Sequence, residues 1–105
     1  MKSDTIAAVA TALSNSGISI IRVSGENAVS IVSEIFVSKS GKHILSEVKS
    51  HTIHYGFIIN GNDTIDEVMV SVMKAPRSFT MEDVVEINCH GGILVTQKNV
   101  ELVIT

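Results

Sequence analysis

Glu86 constrains this chain more than any other residue. It stands in Val84-Val85-Glu86-Ile87-Asn88-Cys89, a run apolar at four of six positions that reads as a buried strand. A carboxylate inside such a strand is costly unless something pairs with it. The run is reached through a polar loop, Ser78 to Asp83, entered behind Pro76. It leaves through His90-Gly91-Gly92, a turn that feeds a helical stretch. A strand, a glycine turn and a helix start place backbone N–H groups where an anion can meet them. Any fold for this chain has to give Glu86 something to face.

The remaining bulk properties narrow the class. A chain of 105 residues argues for one domain, and 45% hydrophobic residues suffice for a core without staples. The single cysteine, Cys89, excludes an internal disulfide and fits a reducing compartment. The net charge of −3 gives no general attraction to nucleic acid. Residues 1–50 carry five Lys/Arg against four Asp/Glu, and residues 51–105 carry three against seven. The acidic half contains the Glu86 stretch, which argues against phosphate-backbone binding there. Ile6 to Leu13 is at the short limit for a signal peptide and has Asp4 where a basic region belongs. No run approaches the roughly 18 apolar residues of a membrane span. The expectation is a soluble cytoplasmic domain without a membrane partner.

Along the chain, Thr5 to Ala10 reads as a short strand and Gly17 to Val23 as a stronger, isoleucine-rich one. Alternation puts Ile18, Ile20 and Arg22 on one face of the second strand, so Arg22 points the same way as two core candidates. Ser24 is a candidate N-cap, and Ala28, Val29, Ile31, Val32, Ile35 and Phe36 recur at helical spacing. With Lys39, Gly41 and Lys42 as stop signals, these predict a helix over 25–38. Strands over 51–59 and 65–73 flank the turn-rich Asn60 to Thr64 and predict a hairpin. A mixed helical pattern predicts a second helix over 91–104. The expected fold is α+β, with a mixed sheet of about five strands and two main helices.

Most chemical constellations fail on spacing. His51 and His54, three apart on a strand, face opposite ways, and adjacent Cys89 and His90 also diverge, so no metal site is expected. The same divergence makes His90 a poor base for a Cys89 nucleophile, and a buried structural cysteine is the expectation. Neither a P-loop nor a GxSxG motif occurs. Arg22 and Glu86 remain, each an ionic residue in an otherwise apolar strand. If their strands share a sheet, the two either form a structural ion pair or bracket a polar heterocycle. In the second case the carboxylate accepts from ring N–H groups and the guanidinium holds an acceptor. Spacing does not choose between them, and no acid–base or nucleophile set is visible.

Four ordered blocks carry a resemblance. They are Asp4-Thr5-Ile6-Ala7-Ala8, Gly17-Ile18-Ser19-Ile20-Ile21-Arg22-Val23-Ser24-Gly25, Ala75-Pro76-Arg77-Ser78-Phe79-Thr80, and Glu82 through Gly92. Together they closely resemble the N-terminal domain of the MnmE (TrmE) tRNA-modification GTPases. The resemblance implies a single domain over 1–105 that belongs to a longer protein, binds tetrahydrofolate and dimerises. It also implies a fold similar to the folate domain of glycine-cleavage aminomethyltransferases. The implied cofactor is a 5-formyl- or 5,10-methylene-tetrahydrofolate supplying a one-carbon unit for wobble-uridine modification of tRNA. The implied partners are a second copy, the flavoprotein MnmG and tRNA, with GTP, Mg2+ and K+ held by a separate GTPase domain. By position, the family's folate-contacting arginine falls on Arg22 and its glutamate on Glu86. The chain departs from the family pattern at Met81, where glycine is usual, and in Ala12 to Ser16, which lacks the usual proline and extra glycine. A third folate residue of the family, a lysine, corresponds to a position past Thr105.

Overall fold

The computed structural model describes residues 5–9, 19–75 and 82–90. Six strands make one sheet: β1 (Ile6–Val9), β2 (Ser19–Ser24), β3 (Phe36–Ser38), β4 (Thr52–Asn60), β5 (Asp63–Met73) and β6 (Val84–Cys89). Their order across the sheet is β1-β2-β6-β5-β4-β3. Helix α1 (Ala28–Ile35) and the 3-10 turn Leu45–Glu47 pack on one face. No helix among the described residues is long and apolar enough to cross a membrane.

The core lies between α1 and the sheet. Strand alternation sends Ile21, Val23, Val68, Val70, Val72, Val85, Ile87 and Cys89 to the helix side, where Ala28, Val29, Val32, Phe36 and Leu45 meet them. Each fully buried valine contributes about 1.5–3 kcal/mol of transfer free energy. β6 is flanked on both sides, pairing with β2 through Ser19↔Cys89 to Ser24↔Val84 and with β5 through Val68↔Cys89 to Met73↔Val84.

The α+β class holds, with corrections to the sheet and to the helices. The sheet has six strands instead of about five, and every pairing among the described strands is antiparallel, so it is not mixed there. The helix expected over 25–38 is confined to Ala28–Ile35, because the chain turns extended at Phe36 and Val37 and Ser38 pair with Phe57 and Gly56. Helical spacing did not reveal this, since Phe36 continues the apolar stripe in the sequence and is buried here as a strand residue. Ser24 ends β2 instead of capping the helix; Asn27 occupies the cap, and its amide donates to Thr5 Oγ1 at 3.2 Å. α1 is the one α-helix among the described residues, so two main helices are not seen there; the stretch 91–104 lies outside them.

The expected hairpin is β4–β5. Asn60 pairs with Asp63, which leaves Gly61-Asn62 as a two-residue turn with Gly61 at φ +63°. A positive φ at the first turn position suits glycine and matches the strands' twist. The register slips between Ile58 and Ile59, so that Ile58 faces Asp66 while Ile59 faces Thr64. The extra residue, Ile65, packs against the core beside Asp66, which is only 8% exposed.

Gly56 shows how tightly β3 is fitted. A Cβ there would stand 2.1 Å from the Val37 carbonyl oxygen and 2.6 Å from the Phe36 ring. Gly56→Ala is therefore expected to destabilise the fold by about 1–3 kcal/mol through overpacking against backbone. Chemical denaturation checks this; an unchanged midpoint would contradict the close approach of β3 and β4.

Candidate functional site

The β2–β6 register sets Arg22 directly opposite Glu86. Directly opposed residues in an antiparallel pair share a face, so the two side chains meet. Arg22 Nη2 lies 2.6 Å from Glu86 Oε2, and Arg22 Nε donates to the same oxygen at 2.7 Å. The arginine side chain is 45% exposed and the glutamate 19%. A pair this open to water contributes at most about 1 kcal/mol to stability. Both contacts fall on Oε2, and Oε1 accepts no hydrogen bond among the described residues. The result is a carboxylate held in place by a cation, with one oxygen left to accept.

The pair sits on the sheet face opposite α1. The expectation that Arg22 points with two core residues is corrected here: Ile20, on the same side, is half-buried, while Ile21 and Val23 face the core. One row across this open face reads Ala8, Arg22, Glu86, Ser71, Ile53. The next reads Ile20, Asn88, Met69, Tyr55. Among the described residues the large exposed hydrophobics are Ile6, Ile53, Tyr55 and Met69, and all four fall on this face. The Arg22–Glu86 pair is thus a charged spot beside an apolar stripe. Tyr55 and Phe57 extend that stripe with an edge-on ring contact at 5.8 Å. A hydrogen bond to Glu67, then desolvation, then the Glu67 charge hold the Tyr55 phenol above its ordinary value.

At the Ser24 end, Glu82 and Asp83, just before β6, are tied down. Gly25 N–H donates to the Asp83 carbonyl at 3.0 Å, Ser24 Oγ donates to Glu82 Oε2 at 3.3 Å, and the Ala75 amide donates to Asp83 Oδ1 at 2.9 Å. Gly25 adopts φ +139°, and a Cβ on it would lie 2.6 Å from Thr5 Cα. Met81 and Gly91-Gly92 lie outside the described residues.

The other sequence candidates do not converge. Among the described residues no group of three or more His, Cys, Asp or Glu side chains could hold a metal ion. Cys89 is a buried free thiol. A shallow crevice of about 420 Å³, lined by Ser30, Ser33, Glu34, His43 and Ser46, lies on the helix side, away from the ion pair. Two features escaped the sequence reading. The apolar stripe was hidden because exposure is not a property of alternation alone. Asp66 was legible in principle, because it shares its alternation with Val68, Val70 and Val72.

Residues 5–105 match the family described as GTP-binding protein TrmE N-terminus. The chain belongs to this family. It is 59% identical over 104 residues to the tRNA modification GTPase MnmE of Lachnoclostridium phytofermentans, covering 99% of this chain and 23% of that protein. It is 58% identical over 105 residues to the MnmE of Acholeplasma laidlawii and 53% over 106 residues to that of Bacillus thuringiensis, covering 99% of this chain and 22% of each relative. The chain thus spans under a quarter of the length of these curated relatives. The matched TrmE N-terminal region contains both β2 and β6, and so the whole Arg22–Glu86 pair.

Tyr55 is the only tyrosine in the chain, so its ionisation can be followed by absorbance. Alkaline titration is expected to show it deprotonating above the ordinary value of about 10. The folded state holds this proton more tightly than the unfolded chain does. The associated stability is therefore complete below the unfolded value and lost as pH rises through the folded one. Glu67→Gln should bring the transition back down; an unmoved transition would remove Glu67 as the cause.

Proposed function

We propose that this chain is the N-terminal folate-binding and dimerisation domain of a tRNA modification GTPase. In this reading a tetrahydrofolate derivative, 5-formyl or 5,10-methylene, lies on the open face of the sheet. Glu86 accepts from donors at the pterin end, and Arg22 holds the carboxylate and contacts the ring. The observation that carries the reading is the Oε1 acceptor of a carboxylate whose other oxygen is fixed by Arg22, set beside an apolar stripe. A heterocycle with adjacent N–H donors and an apolar body suits both parts. When bound, the folate supplies the one-carbon unit, while the residues here bind and orient it. The acceptor is not a general base in this reading, because no nucleophile or acid–base set accompanies it.

The whole protein, in this proposal, acts in the cytoplasm. It hydrolyses GTP with Mg2+ and K+ in a domain outside this chain, and works with MnmG on the wobble uridine of tRNA. The names of the relatives support this assignment, and the chain itself contains no P-loop sequence. A second reading is a dimerisation domain whose folate binding is weak or lost. The exposed Ile53, Tyr55 and Met69 favour giving it weight, since a contiguous apolar patch marks an interaction surface.

Calorimetric titration with 5-formyl-tetrahydrofolate separates the two. The folate reading expects saturable binding that Glu86→Gln weakens roughly five- to 150-fold, because the amide presents donors where an acceptor is needed. Arg22→Lys should also weaken it, since a point charge does not reproduce the guanidinium fork. Melting temperatures should move little, the arginine being half open to water. Wild-type affinity in a folded Glu86→Gln protein would end the folate-site assignment. Dimerisation is checked independently by sedimentation at high micromolar concentration, where a symmetric dimer is expected and a monomer would remove that half of the proposal for this chain.

A further inference from the structure

Asp66 is the one buried charged side chain among the described residues, and the ion pair does not use it. The β-bulge brings Ile65 and Asp66 together against the core side of β5. Both carboxylate oxygens are engaged. Oδ1 accepts the Glu67 amide at 2.8 Å, and Oδ2 accepts the His90 amide at 3.2 Å. His90 follows Cys89, the last residue of β6, whose partner on β5 is Val68. Were the ladder to continue, His90 would pair with Glu67. Instead its N–H goes to the Asp66 side chain, and the strand ends there. The His90 ring completes the clasp, with Nδ1 lying 2.9 Å from the Glu67 carbonyl oxygen. A carbonyl only accepts, so Nδ1 carries a proton, and in the uncharged form of the ring the lone pair is on Nε2. His90 is exposed, and Nε2 has no hydrogen-bond partner among the described residues.

His90 directly follows the last residue of β6, and its ring lies against the carbonyl of Glu67, an exposed residue that alternates with Met69 on the open face of β5. We propose that Asp66 is a positioning residue for that face: it draws the His90 amide out of the ladder and, with the Glu67 carbonyl, fixes His90 in the Nδ1–H tautomer, presenting Nε2 as an acceptor for an N–H or O–H donor of the bound ligand. This rests on the reading of the open face as a reduced-folate site. It adds a second acceptor, His90 Nε2, one residue past the end of the strand that carries Glu86 Oε1. The buried carboxylate acts at a distance from the ligand, through the orientation of an imidazole. Fixing a ring by a hydrogen bond to its other nitrogen is the ordinary way proteins select which nitrogen faces a ligand.

The test uses the intact protein that contains this chain, with isotope-labelled histidine and 5-formyl-tetrahydrofolate as the probe. Nitrogen NMR should show wild-type His90 as the Nδ1–H tautomer, and Asp66→Asn should release it to a tautomer mixture. A wild-type ring protonated on Nε2, or a ring signal unchanged in Asp66→Asn, overturns the clasp. Because Asp66 is buried, the binding arm relies on His90, which is on the surface. His90→Asn keeps a donor for the Glu67 carbonyl but loses the acceptor, and should weaken binding roughly fivefold to tenfold. His90→Gln reaches farther, restores an acceptor near Nε2, and should recover most of that loss. Glu86→Gln is measured alongside. If it weakens binding while both Asp66→Asn and His90→Asn bind like wild type, this inference falls and the folate reading stands. If Glu86→Gln binds like wild type, the folate reading falls and the ligand role of His90 falls with it.

Discussion

β6 has to accept a strand along each edge, and the rest of the molecule depends on its doing so. It pairs over its whole length with β2 on one side and β5 on the other. A strand so placed has no free ladder groups, and its sequence meets two different faces. Val85, Ile87 and Cys89 meet α1 and the core; Val84, Glu86 and Asn88 look the other way. The register that puts Val85 opposite Val23 puts Glu86 opposite Arg22. A slip of one residue would bury the carboxylate beneath α1 without its cation and expose three apolar side chains, so packing and the ion pair enforce one register together.

That register also explains why a charge is tolerated in an apolar strand. Glu86 is not in the core; it is on the side α1 does not cover, against an arginine half open to water. The carboxylate is only 19% exposed, and the guanidinium beside it offsets the cost of that burial. The pair leaves one carboxylate oxygen accepting on the face that α1 does not cover. The neighbouring Met69, Tyr55 and Ile53 make the same point from the apolar side, since they cover no core that the described residues provide.

Particular residues show how much was legible. The strand over 65–73, the hairpin turn after Ile59 and the apolar run of β6 each follow from local pattern; the run of β6 is found as read, and β5 starts two residues earlier, at Asp63. Phe36 was not legible: it continues a helical stripe, yet the chain extends there because β4 offers Gly56, with no side chain, for its ring to cover. Ser24 resembled a cap because serine caps helices, but here the strand runs one residue further and its hydroxyl turns to Glu82. Arg22 was assigned the right strand and the wrong company. Period-two spacing separates two faces without saying which of them a helix covers.

By itself, then, the sequence determined five of the six described strands, the hairpin, the family, and the two ionic residues that stand out from their apolar surroundings. These depend on side-chain alternation, turn chemistry and residue identity, all short-range properties. Only the tertiary structure decided that β2 and β6 are neighbours, that Arg22 meets Glu86 through one oxygen and leaves the other accepting, and which face stays open. It alone brought the Asp66 carboxylate to the His90 amide, across 24 residues of chain. Such contacts arise from strand order and from a bulge that shifts register by one residue. Both are settled by which pairing buries the most apolar surface at once, a property of the whole chain that no single stretch of it carries.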